Sequence, residues 1–485
     1  MPGLSVAEVS LTPHADLDLH LEVGETRPAR ALERALRDAI VTGRVTAGCR
    51  LPTTRSLAAD LGVARTTVSE VYAQLAAEGW LESRVGAGTW VAETAPSRPD
   101  RAEAQAAEPD GRPRPYWGGY PDASLFPLGE WAAAARRAAD AATLAELGYS
   151  EDLRGSLRLR AELASYLRRT RGAQVSPERI VIGQGFSGLL ALTCRAMAGA
   201  GARRLAVEEY GHPAHREIAA AAGLELVPVP VDGEGADVSR LGPGIDGVLL
   251  TPAHQFPTGV PLSPARRRAV IAWAQQTGGL VIEDDYDGEF RYERRAVGAL
   301  QAMAPDQVMY IGTASKALGP AVGLAWAAVP KTRLAGLIAQ RSVLNEPRDT
   351  LNQLTLAEFI AAHSYDRQVR RMRAEYRRRR EYLAARLAAR VPRARLAGVP
   401  AGIQAFVILP AGTDPDQVVA AGLRRGLAFK ALHEYAASAG SGNPPAIVAG
   451  FGASPATRAQ SDIHLVVAAI EESIADRCRL SEGEN

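Results

Sequence analysis

A chain of 485 residues with 56 basic and 54 acidic side chains, net charge +2, is longer than one compact core and too evenly charged to hold nucleic acid by bulk charge. Three scattered cysteines, Cys49, Cys194 and Cys478, give neither a disulfide framework nor a metal-ligand spacing, and point to a reducing compartment. The start Met1-Pro-Gly-Leu-Ser is no basic leader with an apolar core, and no run reaches the roughly 18 apolar residues of a membrane span, so a cytoplasmic chain with no membrane partner and no metal is expected.

In chain order, Ala31, Leu32, Leu36, Ile40 and Val41 recur at helical spacing and predict a helix from about Ala29 to Thr42, ended by Gly43. A short helix from about Thr54 to Leu61 follows, then the turn Gly62-Val63-Ala64. A second helix, about Arg65 to Glu78, carries Val68, Val71, Tyr72 and Leu75 on one stripe. Two short helices about a Gly-containing turn are a helix-turn-helix. With that stripe inward, Arg65, Thr66, Thr67 and Ser69 face outward toward groove edges and phosphates, and Arg55 opens the first helix beside the backbone. Trp80 to Val91 reads as two strands around Gly86-Ala87-Gly88, a wing whose two glycines join the DNA-facing set. Through Arg50-Leu-Pro-Thr-Thr-Arg-Ser-Leu-Ala, Leu61-Gly-Val-Ala-Arg-Thr-Thr-Val and Gly86-Ala-Gly-Thr-Trp-Val, the segment resembles the GntR-type winged helix, and double-stranded DNA is the implied partner. Residues 1–93 form this domain. Residues 94–115, rich in Pro, charge and Ala, make a linker, and 116–485 form the large unit.

The large unit alternates helical stretches with uniformly apolar runs at Arg179-Ile-Val-Ile-Gly, Arg204-Leu-Ala-Val-Glu, Gly247-Val-Leu-Leu-Thr, Gly279-Leu-Val-Ile-Glu and Met309-Tyr-Ile-Gly. Such runs are strands buried on both faces, so the fold class is α/β with a mixed or mostly parallel sheet, and ligands belong beyond the carboxyl ends of the strands. There stands Glu283-Asp284-Asp285-Tyr286-Asp287, an acidic cluster costly to place without partners. Asp284 suits a pyridine nitrogen that must stay protonated, and Tyr286 offers a phenol. Gly183-Gln-Gly-Phe-Ser-Gly, at a strand-to-helix junction, offers backbone amides to a phosphate. The run Val308 to Gly312 delivers Lys316, one of only three lysines in an arginine-rich chain. Arginine stays protonated, whereas a desolvated lysine can condense with an aldehyde, so Lys316 is the candidate catalytic Schiff-base residue and pyridoxal phosphate the aldehyde. The basic run Arg367 to Arg380 leaves Val369, Met372 and Tyr376 as an inward stripe, which favours a solvated helix face over a second DNA contact.

Through Tyr120-Pro-Asp-Ala-Ser-Leu-Phe-Pro, Thr251-Pro-Ala-His-Gln-Phe-Pro-Thr-Gly, Glu283-Asp-Asp-Tyr-Asp-Gly-Glu-Phe-Arg-Tyr and Gly312-Thr-Ala-Ser-Lys, the large unit resembles a fold-type I aminotransferase domain. A GntR-type winged helix fused to it resembles the MocR/GabR-type regulators. The resemblance implies pyridoxal 5'-phosphate on Lys316, Asp284 at the pyridine nitrogen, Tyr286 at the ring oxygen, and phosphate at Gly185, Phe186 and Ser187 with Ser315 nearby. It also implies a homodimer in which Tyr149 reaches the neighbouring subunit's phosphate. Three positions depart from the pattern. Gly323 stands where the family has a phosphate-binding arginine, with Arg341 and Arg348 in the following segment. His212 stands where a tyrosine stacks on the ring, and Ala446-Ile-Val-Ala-Gly-Phe offers no carboxylate-binding arginine. Losing one charged phosphate contact costs on the order of 1.5–3 kcal/mol. The expected function is a transcription regulator whose aminotransferase-like domain senses a small amine or amino-acid-like effector through Lys316. The alternatives are a working aminotransferase and a DNA-binding dimer whose large domain has lost the cofactor.

Overall fold

The structure, a computed structural model, describes residues 28–41, 44–84, 88–93, 113–149, 151–292, 297–344, 349–438 and 444–483. It comprises two compact units, Met1–Asp110 and Gly111–Asn485. In the first, α1 (Pro28–Val41), α2 (Thr54–Leu61) and α3 (Arg65–Ala77) are followed by the antiparallel hairpin β1 (Leu81–Arg84) and β2 (Gly88–Val91). Local chemistry sets these bounds. The Thr53 side chain accepts the Ser56 amide at 3.1 Å and starts α2, and Gly62, left-handed at φ 65°, ends it. Leu36, Leu57, Val68, Tyr72 and Leu75 close the core, and the Tyr72 hydroxyl donates to the Pro52 carbonyl at 3.0 Å. Gly88 has φ +128°, and a Cβ there would lie 2.9 Å from Arg50 Nε, whose guanidinium rests over the Trp90 ring. Gly86 lies outside the described residues.

The second unit is built on a seven-stranded sheet: β3 (Ile180–Gln184), β4 (Arg204–Glu208), β5 (Glu225–Val229), β6 (Gly247–Leu250), β7 (Leu280–Asp284), β8 (Val308–Thr313) and β9 (Leu324–Ala328), in the order β3-β9-β8-β7-β6-β4-β5. Neighbours pair in parallel except around β9, which is antiparallel to both β8 and β3. The five apolar runs in the sequence are β3, β4, β6, β7 and β8. Two strands carried no such signal. Strand β5 is an edge holding Pro228, a residue tolerated only there, and β9 reads Leu-Ala-Trp-Ala-Ala, which is poor in strand formers. Tertiary fit selects β9: every residue is buried, and Trp326 lies against Gly312, where a Cβ would come within 2.5 Å of Trp326 Nε1. Along β8, Met309 and Ile311 enter one apolar cluster and Tyr310 another, as burial on both faces requires. A smaller four-stranded sheet of 395–397, 405–408, 446–449 and 430–431 follows in the C-terminal part.

The arginine-rich segment lies in α4 (Ser364–Arg390), with Val369, Met372 and Tyr376 buried. One arginine of the run departs from the solvated face. Arg379 is 3% exposed, donates to Asp122 Oδ2 at 2.6 Å and Glu375 Oε1 at 2.7 Å, and reaches the Phe451 and Ser454 carbonyls. Removing one partner of a buried pair strands the other charge, so Arg379→Ala is expected to lower stability by about 3–5 kcal/mol in urea unfolding. Its neighbour Arg378, 70% exposed, pairs with Glu375 at the surface, and Arg378→Ala is expected to cost under about 1 kcal/mol.

Candidate functional site

A cavity of about 660 Å³ opens at the carboxyl ends of the parallel strands, where Gly185, Glu208, Thr251, Asp284 and Lys316 converge. Each follows or ends a strand that is apolar along its length, so polar groups gather only where the sheet stops.

The acidic cluster after β7 is resolved partner by partner. Glu283 accepts the Leu300 and Gln301 amides at 2.7 and 2.9 Å. Asp285 accepts Arg171 Nε and Nη2, both at 2.7 Å, and the Tyr310 hydroxyl at 2.6 Å. Asp287 lies 2.8 Å from His254 Nδ1. Asp284 differs. It is 4% exposed and lines the cavity, and its Oδ1 has no hydrogen-bond partner among the described residues. Burial pushes its carboxyl well above the usual range; Lys316 opposes this, and Asp285, Asp287 and Glu208 reinforce it.

Lys316 sits just past β8 in the four-residue helix Ser315–Leu318 and donates from Nζ to the Gly119 carbonyl at 2.6 Å. Burial lowers its pKa from the ordinary lysine value, with Asp284 and Asp287 pulling the other way. A lysine so desolvated spends more time as the free amine, the form that attacks an aldehyde.

The other sequence-derived residues divide. Gly185, Phe186 and Ser187 open the helix Gly185–Gly199, whose N-terminal amides meet the cavity; Gly185 has φ +72° with nothing within 4 Å of a Cβ. Ser315 lines the cavity and accepts the Thr313 hydroxyl at 2.9 Å. The Tyr286 phenol lines it too, its pKa raised well above the ordinary value first by burial and then by Asp287. His212 stands at the N-cap of Pro213–Ala221 and stacks on His215 with centroids 4.9 Å apart. Tyr149 is fully exposed and away from the cavity. Gly323 lines it in a left-handed conformation, φ 65°. Arg341 is turned onto the Ile182 carbonyl, and Arg348 lies outside the described residues. Arg216 is the one arginine among the described lining residues, and its Nη atoms are spent on the carbonyls of Gly211, Tyr435 and Ala436.

Sequence reasoning passed over His215, Glu208 and Phe256. The i, i+3 spacing of His212 and His215 on one helix was the available signal for the first. His215 packs on Phe186 at 4.6 Å, and burial pushes its pKa down to about 3, with His212 and Lys316 adding to the effect. His212 is lowered likewise, by burial and then by Lys316. Both rings are therefore uncharged at neutral pH. Glu208, pushed up to about 7 by burial, accepts the Thr251 hydroxyl at 2.5 Å. The residues present fit pyridoxal phosphate: an unpartnered buried carboxylate for a ring nitrogen, a helix N-terminus for a phosphate, flat rings, a phenol and a buried amine.

In the first unit, Arg55, Arg65, Thr66 and Ser69 are exposed and Thr67 is half-buried. Helix α3 begins at Arg65 with no side-chain cap; the Thr67 amide donates to the Ala64 carbonyl at 3.0 Å, and the Arg65 and Thr66 amides precede it at the open end.

Residues 118–441 match the family Aminotransferase class I and II, and residues 28–91 match Bacterial regulatory proteins, gntR family. The chain is 32% identical over 471 residues to the HTH-type pyridoxine biosynthesis transcriptional regulator PdxR of Corynebacterium glutamicum, covering 95% of this chain and 99% of that protein. It is 33% identical over 379 residues to the probable rhizopine catabolism regulatory protein MocR of Rhizobium meliloti, covering 73% and 76%. Among solved structures, an archaeal alanine:glyoxylate aminotransferase is similar with a TM-score of 0.68 and 22% identity, over 77% of this chain and 94% of that one, a likeness of fold.

The lowered pKa of Lys316 predicts that reductive methylation, followed by mass spectrometry, modifies Lys316 at lower pH than the exposed Lys331. Asp284→Asn removes the larger of the two carboxylate influences on Lys316 and is expected to move that labelling lower still.

Proposed function

Since the chain belongs to the MocR/PdxR-type transcriptional regulators, in which a gntR-type helix-turn-helix unit precedes a class I/II aminotransferase domain, we propose that it is a pyridoxal phosphate-dependent sensor of a small amine or amino-acid-like effector. DNA binding follows from the helix-turn-helix, and pyridoxal phosphate binding is what an aminotransferase domain of this class implies.

One observation carries the reading for this chain. Of the carboxylates packed at the end of β7, Asp284 alone keeps a buried oxygen unpartnered, and it faces the cavity that also holds Lys316. An isolated buried carboxylate is expensive, and a protonated ring nitrogen from a ligand removes that cost. Lys316 supplies the amine. Gly185, Phe186, Ser187 and Ser315 hold the phosphate end, and His212 and His215 present flat, uncharged rings. When bound, the cofactor supplies an aldehyde carbon that a primary amine can enter. With Arg216 donating to three carbonyls and Gly323 in the arginine position, the described lining offers a substrate carboxylate only one guanidinium, already largely engaged, which favours sensing over turnover.

Arg55, Arg65, Thr66, Thr67, Ser69 and Gly88 are the proposed DNA-facing residues, with Arg65 at the start of α3. We take the working form to be a homodimer reading two half-sites. An effector acts on it only through a difference in affinity between the dimer's DNA-binding and released states. A shift from 1:99 to 99:1 needs a differential of about 5.5 kcal/mol.

Purified protein with added pyridoxal phosphate is expected to show a visible absorption band that borohydride abolishes and that Lys316→Ala never forms. Asp284→Ala is expected to weaken retention by roughly ten- to a hundredfold, measured by equilibrium dialysis. Absence of any band in the wild type would overturn the cofactor reading. In gel-shift titrations Arg65→Ala is expected to lose about 1–3 kcal/mol of operator binding while leaving the cofactor band intact.

A further inference from the structure

A second cavity, of about 340 Å³, lies behind the acidic segment that follows β7. The segment divides between the two cavities. Asp284 and Tyr286 line the main one, while Asp285 between them turns onto Arg171, and Arg171 lines the second together with Glu289 from further along the segment. Helix α4 adds Asp366, Arg370 and Arg373 to the wall.

Charge is satisfied there on one side only. The acids are answered from within the fold: Glu289 accepts the Tyr166 hydroxyl at 2.7 Å and the Tyr365 hydroxyl at 3.2 Å, and Asp366 takes the fork of Arg169 at 2.7 and 3.0 Å. Arg171 is spent on Asp285 and on the Gly288 and Val297 carbonyls. The two arginines of α4 are not answered. Arg370 makes no hydrogen bond or ion pair among the described residues, and half-buried Arg373 uses only Nε, which donates to the Glu289 carbonyl at 2.8 Å and leaves both Nη groups over. Standing at i and i+3 on one helix, their like charges oppose each other at close range, a cost that an anion between them removes. Burial pushes the Glu289 carboxyl up to about 7, which lessens its repulsion of such an anion.

We propose that this cavity is a second ligand site, separate from the main one, which takes a small phosphate-bearing molecule between Arg370 and Arg373. A guanidinium offers parallel N–H groups that match oxyanion geometry two at a time, and a phosphate monoester has three terminal oxygens to share between two such forks. Two arginines on a flat face would be served by water or by a duplex backbone. These border a concavity, whose volume is at the lower end of the range for small-molecule sites, about 300–1,000 Å³. The site does not depend on the cofactor reading.

The test is equilibrium dialysis of the full-length protein against radiolabelled inorganic phosphate at fixed ionic strength, after treatment with pyridoxal phosphate and borohydride to fill the main cavity. The treated wild type is expected to hold a single phosphate per chain, and Arg370→Glu to weaken it by roughly ten- to a hundredfold. Arg373→Lys, which keeps the charge and loses the fork, is expected to weaken it less. Arg377→Glu, at an exposed position of the same helix outside the cavity, is expected to bind as the wild type does. Equal losses in Arg370→Glu and Arg377→Glu would reduce the effect to overall charge and overturn the inference, as would no bound phosphate in the treated wild type. Phosphate binding unchanged in Arg370→Glu, with weaker gel shifts instead, would assign the arginine to a DNA backbone and overturn it as well. Should the main cavity take no cofactor, the comparison of Arg370→Glu with wild type still reads the second site.

Discussion

The constraint on which the site depends is the cost of ending one buried strand in acid. Glu283, Asp284, Asp285 and Asp287 are all buried, and each would lose several kcal/mol if left charged and alone. The fold answers three of them internally, with two amides for Glu283, the fork of Arg171 with a phenol for Asp285, and an imidazole for Asp287. Arg171 comes from the helix Leu157–Arg171 and His254 from the segment after β6, so the cluster ties distant parts of the chain together. Asp284 Oδ1 has no hydrogen-bond partner among the described residues, and its Oδ2 lies 3.9 Å from His215 Nδ1, so this is the position we propose for a ligand. Its exception among neighbours is more informative than its burial, because Glu283, Asp285 and Asp287 each have a close hydrogen-bond donor.

Sheet topology turns that local exception into a site. Strands β7 and β8 are parallel, with Asp284 opposite Ile311, so the chain beyond β8 emerges at the same level and brings Lys316 to the same cavity. An antiparallel neighbour would have sent the lysine to the opposite end. The antiparallel strand that does occur, β9, begins at this edge and brings Gly323 with it. At φ 65° an arginine would carry left-handed strain of roughly 1–2 kcal/mol, which offsets much of what a phosphate contact returns.

Much of this was legible in the sequence. Helices α2 and α3 follow from an apolar stripe and a glycine turn, five of the seven central strands from uniform apolar runs, and Lys316 from the scarcity of lysine. What was not legible depends on three-dimensional neighbours. Strand β9 is alanine-rich and exists because Trp326 needs the gap at Gly312. Arg379 continues the stripe of Val369, Met372 and Tyr376, so its spacing turns it inward, but nothing in the sequence pairs it with Asp122, more than 250 positions away in the chain. Gln404 and His254 come from segments about 150 positions apart and meet at one phenol, that of Tyr286. Periodicity reports which face is buried, not what a buried polar atom will find there.

The electrostatics of the cavity follow one economy throughout. At the proposed phosphate end, backbone amides at Gly185, Phe186 and Ser187 stand in for a guanidinium. At the proposed ring faces, imidazoles that burial keeps neutral stand where a charged pair would repel both Lys316 and a protonated ring nitrogen. The backbone dipoles do not titrate and are screened less by salt than exposed charges. The described cavity groups whose pKa burial displaces include Asp284, Lys316, Glu208 and Tyr286. In the sensing proposal, an arriving amine changes the charge balance among these groups.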